Sequence, residues 1–229
     1  MHELSLFDLP VRIDRLVLAS GSPRRVELLT EMGFDPIVRP QNIDEAAALK
    51  AFANSFDEEL DEDFGEVLDE KPTCEEMVRH LAECKAMSAL EDETKPDDVI
   101  LAADTIVAID GEELGKPHSE EDAIEMLHAL SGRTHEVSTG VCLLSPTRTG
   151  GHRSFSFYET TSVTFYELDN ATIEAYVKTG EPLDKAGAYG IQGLGRTLVR
   201  TIEGDYFNVV GLPVAKTMRA LEAFVGKSD

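Results

Sequence analysis

The sequence contains no tryptophan and only three cysteines, Cys74, Cys84 and Cys142. An odd count at these positions fits neither a disulfide framework nor zinc-site spacing. The three are expected to serve as small apolar residues. The six histidines form no HExxH pair, and there is no GxSxG elbow or convincing serine or cysteine triad. His135 in "GRTHEV" is expected to be structural or at the surface. No apolar run is long enough to span a bilayer. The opening "MHELSLFDLPVRIDR" lacks the basic-then-apolar order of a secretory signal. A cytoplasmic protein without a membrane partner is therefore expected. Positive charge is also scarce. Twenty-one Lys plus Arg stand against 44 Asp plus Glu, for a formal net charge of −23. Such a chain lacks the basic surface that neutralises duplex phosphates, so nucleic acid is not an expected partner. The carboxylates run along the whole chain. That suits a salt-adapted surface, hydrated and screened in molar salt, with an ordinary acidic protein as the alternative.

What remains is enough for a sizeable core. With 229 residues and 42% hydrophobic content, the chain can build one large α/β domain or two lobes around a cleft. "LVLA" (16–19) reads as a buried strand. "SGS" turns the chain, with Ser22 as cap and Pro23 at the first helical position. Leu28, Leu29 and Met32 share one face of that helix, which Gly33 closes. "DPIVRPQNIDE" reads as an extended segment and turn. Residues 54–70 are more than half acidic and read as a solvated surface insertion, partly helical or disordered. A calcium site there lacks EF-hand spacing. "TCEEMVRHLAECKAMSAL" opens with a Thr73–Glu76 capping box, and Met77, Leu81, Cys84 and Met87 or Ser88 have helical spacing. "DDVILAADTIVAID" is a core strand ending in the Asp110–Gly111 turn. A helix follows from Ser119 to Gly132. Two long strands then flank Gly150–Gly151. Asp169 caps another helix, "EPLDKAGAYGIQGLG" is irregular, "TLVRTIEG" is a strand, and "LPVAKTMRALEAF" is a terminal helix. The order is mixed α/β, not regular β–α alternation.

Scarce positive charge makes its placement informative. In "ASGSPRR" a strand feeds a tight turn and a helix start, where backbone N–H groups lack internal partners and the dipole is positive. This is an anion site before any side chain is counted. Arg24 and Arg25 oppose the dipole there, which makes sense if a phosphate accepts their bidentate hydrogen bonds. Asp104 interrupts an apolar strand, where a carboxylate is costly unless it is paired, liganded or at an opening of the sheet. It suits a magnesium ligand or a general base. Lys85 and Lys116 are uninformative alone, and "ELGKP" is not a Walker loop. The GxxGxG order of Gly190, Gly193 and Gly195 is not the dinucleotide fingerprint. Gln192 among these glycines offers donors and an acceptor to the edge of a base.

Taken together, "LASGSPRR", "AECKA", "AADTIV", "LGKP", "LSGRTHEV", "EPLDKAGAYGIQGLG" and "GDYFNVVGLPV" resemble, in order, the Maf family of nucleotide pyrophosphatases, over about residues 16–224. The resemblance implies a single Maf-type domain of the inosine triphosphate pyrophosphatase-like α/β fold. It implies a mixed sheet with two lobes flanking a cleft, and a homodimer. It also implies cleavage of a nucleoside triphosphate between its α and β phosphates with a divalent metal, Mg²⁺ or Mn²⁺. Asp104 then corresponds to the catalytic proton acceptor. Arg24, Thr105 and Gln192 match positions of substrate choice. Ser20, Arg25, Lys85 and Lys116 match the phosphate-binding set. Glu45 joins Asp104 near the metal. The "AGAYGIQG" run resembles the branch acting on dTTP, UTP and modified pyrimidine nucleotides, more than the branch acting on 7-methyl-GTP. A non-catalytic nucleotide-binding regulator of cell division is the reading from another class.

Salt adaptation is directly testable. Refolding should be poor in dilute buffer and recover in molar KCl, followed by circular dichroism. Full stability in dilute buffer would remove the salt-adapted reading.

Overall fold

Three long stretches rich in β-branched residues build the centre of the molecule. The computed structural model describes residues 13, 15–57, 71–90, 94–96 and 98–226. Strands β1 (Arg15–Leu18), β2 (Ile37–Val38), β3 (Asp98–Ile109), β4 (Glu112–Leu114), β5 (Thr134–Pro146), β6 (His152–Phe165) and β7 (Val199–Glu203) form one sheet. Its order is β2-β1-β3-β5-β6-β7, with β4 also pairing with β3. β1 runs parallel to β2 and β3, while the other pairs are antiparallel. The expected mixed sheet of an α/β fold is thus present. Asp110 and Gly111 take left-handed φ values of 55° and 80°, as the tight β3–β4 hairpin requires. Gly150 and Gly151, at 88° and 86°, turn β5 into β6.

The helices are α1 (Pro23–Glu31), α2 (Glu45–Asp57), α3 (Cys74–Ser88), α4 (Glu120–Leu130), α5 (Asn170–Val177), α6 (Tyr206–Val210) and α7 (Val214–Val225). Short 3-10 turns occupy much of 181–197. The capping box of α3 forms as expected, and Ser119 and Asp169 cap α4 and α5. α2 was not anticipated. It starts where the Asp44 carboxylate accepts the Ala47 N–H at 2.9 Å. Residues 54–57 of the expected acidic insertion belong to this helix, and 58–70 lie outside the described residues.

Helices cover both faces of the sheet. On one face, Ala82, Ala86 and Ala89 pack onto Ile100, Ala102 and Cys142. Burial and the nearby Glu83 charge push the Cys142 thiol up to about 12, consistent with an inert apolar role. Next to this cluster, α2 contributes Ala48 and Leu49 against Leu81 and Ile106. The inward face of α3 is Val78, Leu81, Ala82 and Ala86. The expected stripe through Met77, Cys84 and Met87 is therefore rotated, and Met87 is exposed. Close approach explains the choice. A Cβ on Gly140 would lie 2.2 Å from the Val78 carbonyl oxygen, so helix backbone rests directly on the sheet. The opposite face buries Leu28 and Leu29 of α1, with residues of α4, α5 and α7, against Leu18, Ala103 and Val141.

This stacking positions the site. β1 pairs with β3 only as far as Leu18 opposite Leu101. β3 continues past the carboxyl end of β1, where the chain turns into α1. Asp104 and Thr105 lie on that overhang, at the kind of edge where α/β sheets bind ligands.

Candidate functional site

Successive residues of a strand point to opposite faces. Asp104 therefore faces α3, in register with Gly140, while Thr105 faces α1, in register with Thr139. Two adjacent residues head two different assemblies.

On the α1 side, Pro23 starts the helix at its first turn, and Ser22 makes no side-chain cap. No acidic residue occupies that turn. Arg25 is buried. Its Nε donates to the Gly211 carbonyl at 2.8 Å, and Nη1 donates to Ser20 Oγ at 3.0 Å and to the Ala103 carbonyl at 2.8 Å. Nη2 donates to Thr105 Oγ1 at 3.0 Å. A guanidinium has five N–H donors, so at most one remains. Burial lowers the pKa of Arg25, the Asp104 charge works against that, and the adjacent Arg24 reinforces it. Where a bidentate phosphate contact was expected of Arg25, four of its five donors are directed to oxygens of the protein itself.

The chain of donors continues inward. Thr139 Oγ1 donates its single hydrogen to the Asn208 carbonyl at 3.1 Å. Its 2.9 Å contact with Thr105 must then run from Thr105 to Thr139. Fully buried Asn208 donates from Nδ2 to the Val137 carbonyl at 2.8 Å and to Thr161 Oγ1 at 3.0 Å. Ser20 and Thr105, both expected to meet substrate, thus belong to a structural network. Ser20 Oγ accepts the Ser22 N–H as well, at 3.3 Å.

On the α3 side, Lys85 forms an ion pair with Asp104 and a second with Glu45 Oε1 at 2.7 Å. Asp104 sits mid-strand, not at a strand end, and is buried with this partner. The cost of a carboxylate in an apolar strand is offset in the way the sequence required. Glu45 reaches Lys85 from the first residue of α2. Glu113, not singled out from the sequence, belongs to the same neighbourhood. Partial desolvation, followed by the Asp104 and Glu45 charges, raises its pKa. The Asp–Gly turn held the signal, since it sets Glu113 opposite Ala108 and on the Asp104 face.

Arg24 is half-buried and makes no hydrogen bond or ion pair among the described residues. Its charge reaches Asp184, whose pKa burial would raise, but which the Lys185 hydrogen bond and the Lys185 and Arg24 charges hold low. Lys116 is exposed, just after Gly115, whose carbonyl accepts the Gly187 N–H at 3.1 Å. Gly187 packs so closely on Val107 of β3 that a Cβ would lie 2.8 Å from it. This brings the 181–195 segment over the odd-numbered face of β3. Gln192 is half-buried in that segment. Among the described residues, no hydrogen bond or ion pair joins Gln192 or Lys116 to Asp104.

As donors, Asp104 and Glu45 place two hard carboxylate oxygens around one cationic point, Lys85 Nζ. Two carboxylates fit Mg²⁺ or Mn²⁺, which fill their shells with water and phosphate oxygens. No group of three or more His, Cys, Asp or Glu suited to a metal occurs among the described residues.

A family profile described as "Maf-like protein" matches residues 15–224. The chain belongs to the Maf family. Among curated relatives, a dTTP/UTP pyrophosphatase of Bacillus velezensis is 46% identical over 92% of this chain and 96% of its own length. A protein of the same name from Bacillus pumilus is 45% identical over 93% and 97%. One from Halalkalibacterium halodurans is 45% identical over 90% and 94%. The solved structure of the Staphylococcus aureus Ham1 protein covers 92% of this chain and 99% of its own. It does so at 14% identity and a TM-score of 0.44, too weak a likeness to argue from. The matched range includes the residues of both the Lys85–Asp104 assembly and the Arg25 network.

His135, expected to be structural or at the surface, is in the interior. It is buried, with Nε2 2.8 Å from the Tyr189 hydroxyl and Nδ1 unpartnered. Burial pushes its pKa down from 6.5 to about 4. The unfolded chain therefore takes up this proton before the folded protein does. Stability from this group is complete above about pH 6.5 and is lost as pH falls toward 4, by about 3 kcal/mol. Urea titrations across that window should show a flatter acid slope for His135→Gln than for the parent. An unchanged slope would mean that the imidazole does not titrate as a buried group.

Proposed function

We propose that this protein is a nucleoside triphosphate pyrophosphatase acting on dTTP and UTP. It cleaves between the α and β phosphates to give the monophosphate and pyrophosphate. The observation that carries this reading is the Lys85-held Asp104 carboxylate on the overhang of β3. It is adjacent along β3 to Thr105, which accepts a hydrogen bond from Arg25 in the uncapped first turn of α1; the chain belongs to the Maf family, and relatives over 40% identical are named dTTP/UTP pyrophosphatase.

The triphosphate approaches the positive end of α1. Arg24 and Lys116 face its negative charge with side chains that have no partner in the hydrogen-bonded network. Arg25 contributes mainly by fixing Ser20, Thr105 and the 211 backbone around the entry. Asp104 Oδ accepts a proton from the attacking water. The water oxygen bonds to the α-phosphorus, the bond from that phosphorus to the bridging oxygen breaks, and its electron pair leaves with pyrophosphate. Lys85 orients Asp104 and offsets charge on the phosphates. Catalysis is chiefly positioning and electrostatics. Asp104 and Glu45 would hold a divalent cation, which when bound supplies charge neutralisation at phosphate oxygens. Gln192 reads the base edge. The largely buried Lys85–Asp104 pair is screened less than surface charges, so its role is compatible with activity in molar salt.

The test is a panel of nucleoside triphosphates with Mg²⁺ or Mn²⁺ in molar KCl, with products separated by chromatography. Pyrophosphate and monophosphate should form from dTTP and UTP and much less from ATP or GTP. Asp104→Asn should lower kcat about 100-fold or more. Orthophosphate as product, or near-normal turnover of the variant, would overturn the assignment.

A further inference from the structure

The 181–195 segment has little regular secondary structure, yet Gln192 is not on a loose loop. The Tyr176 hydroxyl, on α5, accepts the Gly190 N–H at 3.1 Å and donates to Glu181 Oε1 at 3.0 Å. That oxygen also accepts the Gly195 N–H at 3.0 Å. Glu181 Oε2 accepts the Leu194 N–H at 2.7 Å. The backbone on both sides of Ile191–Gln192–Gly193 is therefore tied to one Tyr–Glu pair, and Gln192 is the middle residue of the arch.

Glycines permit the tie. A Cβ at Gly193 would fall 2.3 Å from Glu181 Oε2, and one at Gly195 would fall 2.6 Å from both the Gly190 carbonyl and the Tyr176 hydroxyl. Ile191 is buried in the core, so the arch is also weighted inward beside Gln192. Burial would raise the Glu181 pKa, but the Gly195 and Leu194 amides, the Tyr176 hydroxyl and the Lys185 charge outweigh it and leave it lowered. The acceptor is thus a carboxylate anion. Lys185 adds a bond from Nζ to the Glu181 carbonyl at 2.8 Å.

We propose that Glu181, with Tyr176, is the positioning residue for nucleotide selectivity. Without touching nucleotide, it holds the 190–195 arch so that Gln192 meets the base edge in one orientation. This rests on the base-reading role of Gln192 given above. Glu181 is remote in sequence from Asp104 and shares no hydrogen bond with it, so its effect falls on base recognition rather than on bond cleavage.

Glu181→Gln keeps the size of the side chain but replaces one acceptor oxygen with an N–H donor that opposes the donors around it. The parent enzyme is first assayed on dTTP, UTP, ATP and GTP. A parent without pyrophosphate release, or without preference for the pyrimidines, would fail the functional reading itself, before any variant is compared. Given a selective parent, Glu181→Gln should raise KM for dTTP and UTP about tenfold while saturated kcat changes less than threefold. The pyrimidine-over-purine ratio of kcat/KM should shrink accordingly. Hydrogen exchange without nucleotide should show faster exchange at the Leu194 and Gly195 amides. Glu181→Asp should restore part of the selectivity. Tyr176→Phe removes the hydroxyl's two bonds, to Gly190 and Glu181, but leaves the Glu181 bonds to the Leu194 and Gly195 amides, and it supplies the milder variant if Glu181→Gln does not fold. It should move the ratio in the same direction. An unchanged ratio in the folded variants, or an equal loss in kcat on every nucleotide, would overturn the proposal.

Discussion

The Arg25 guanidinium ties together segments that no secondary structure connects: the turn at Ser20, the overhang of β3 at Ala103 and Thr105, and the end of α6 at Gly211. It is a buried charge with no carboxylate in direct contact among the described residues, stabilised by four oxygen acceptors. Such a group is costly to place and costlier to remove, because buried carbonyls would then lose their partners. From it the hydroxyls of Thr105 and Thr139 carry the network to Asn208, and Asn208 carries it to β5 and β6. The placement of the start of α1 against β3 and the end of α6 depends on this brace.

Because a strand alternates its faces, the brace and the Asp104 carboxylate can occupy adjacent positions without competing. Thr105 belongs to the Arg25 network, and Asp104 belongs to Lys85 and Glu45 on the other side. Gly140 makes the second assembly possible by letting α3 lie on the sheet. The positive groups inside an acidic chain therefore divide their work. Arg25 binds backbone and hydroxyl oxygens, Lys85 pairs with the Asp104 and Glu45 carboxylates, and Arg24 and Lys116 make no hydrogen bond or ion pair among the described residues.

Much of this was legible in the sequence where the determinant is local. The Ser22–Pro23 helix start, the Thr73–Glu76 capping box, the Asp110–Gly111 hairpin and the two strands around Gly150–Gly151 follow from short-range chemistry. Asp104 was legible as a carboxylate that needs a partner. The fate of Arg25 was not, because its acceptors include backbone carbonyls 78 and 186 residues away. Side-chain type cannot reveal which carbonyl a fold brings near. The rotation of α3 was missed for a similar reason, since Gly140 decides it from another element. Glu181 escaped notice because its partners are amides of a glycine-rich turn. α2 had a local signal as well, the Asp44 cap and the alanine-rich run that follows, and it packs Ala48 and Leu49 beside α3.

The most direct test is the stability of Arg25→Lys, measured by urea denaturation with and without nucleotide. Lysine keeps the charge but cannot serve four acceptors spread around a planar fork. The expected result is a loss of about 3 kcal/mol that is already present without nucleotide. A variant as stable as the parent, impaired only in binding nucleotide, would contradict the structural role of Arg25 and return it to the phosphate.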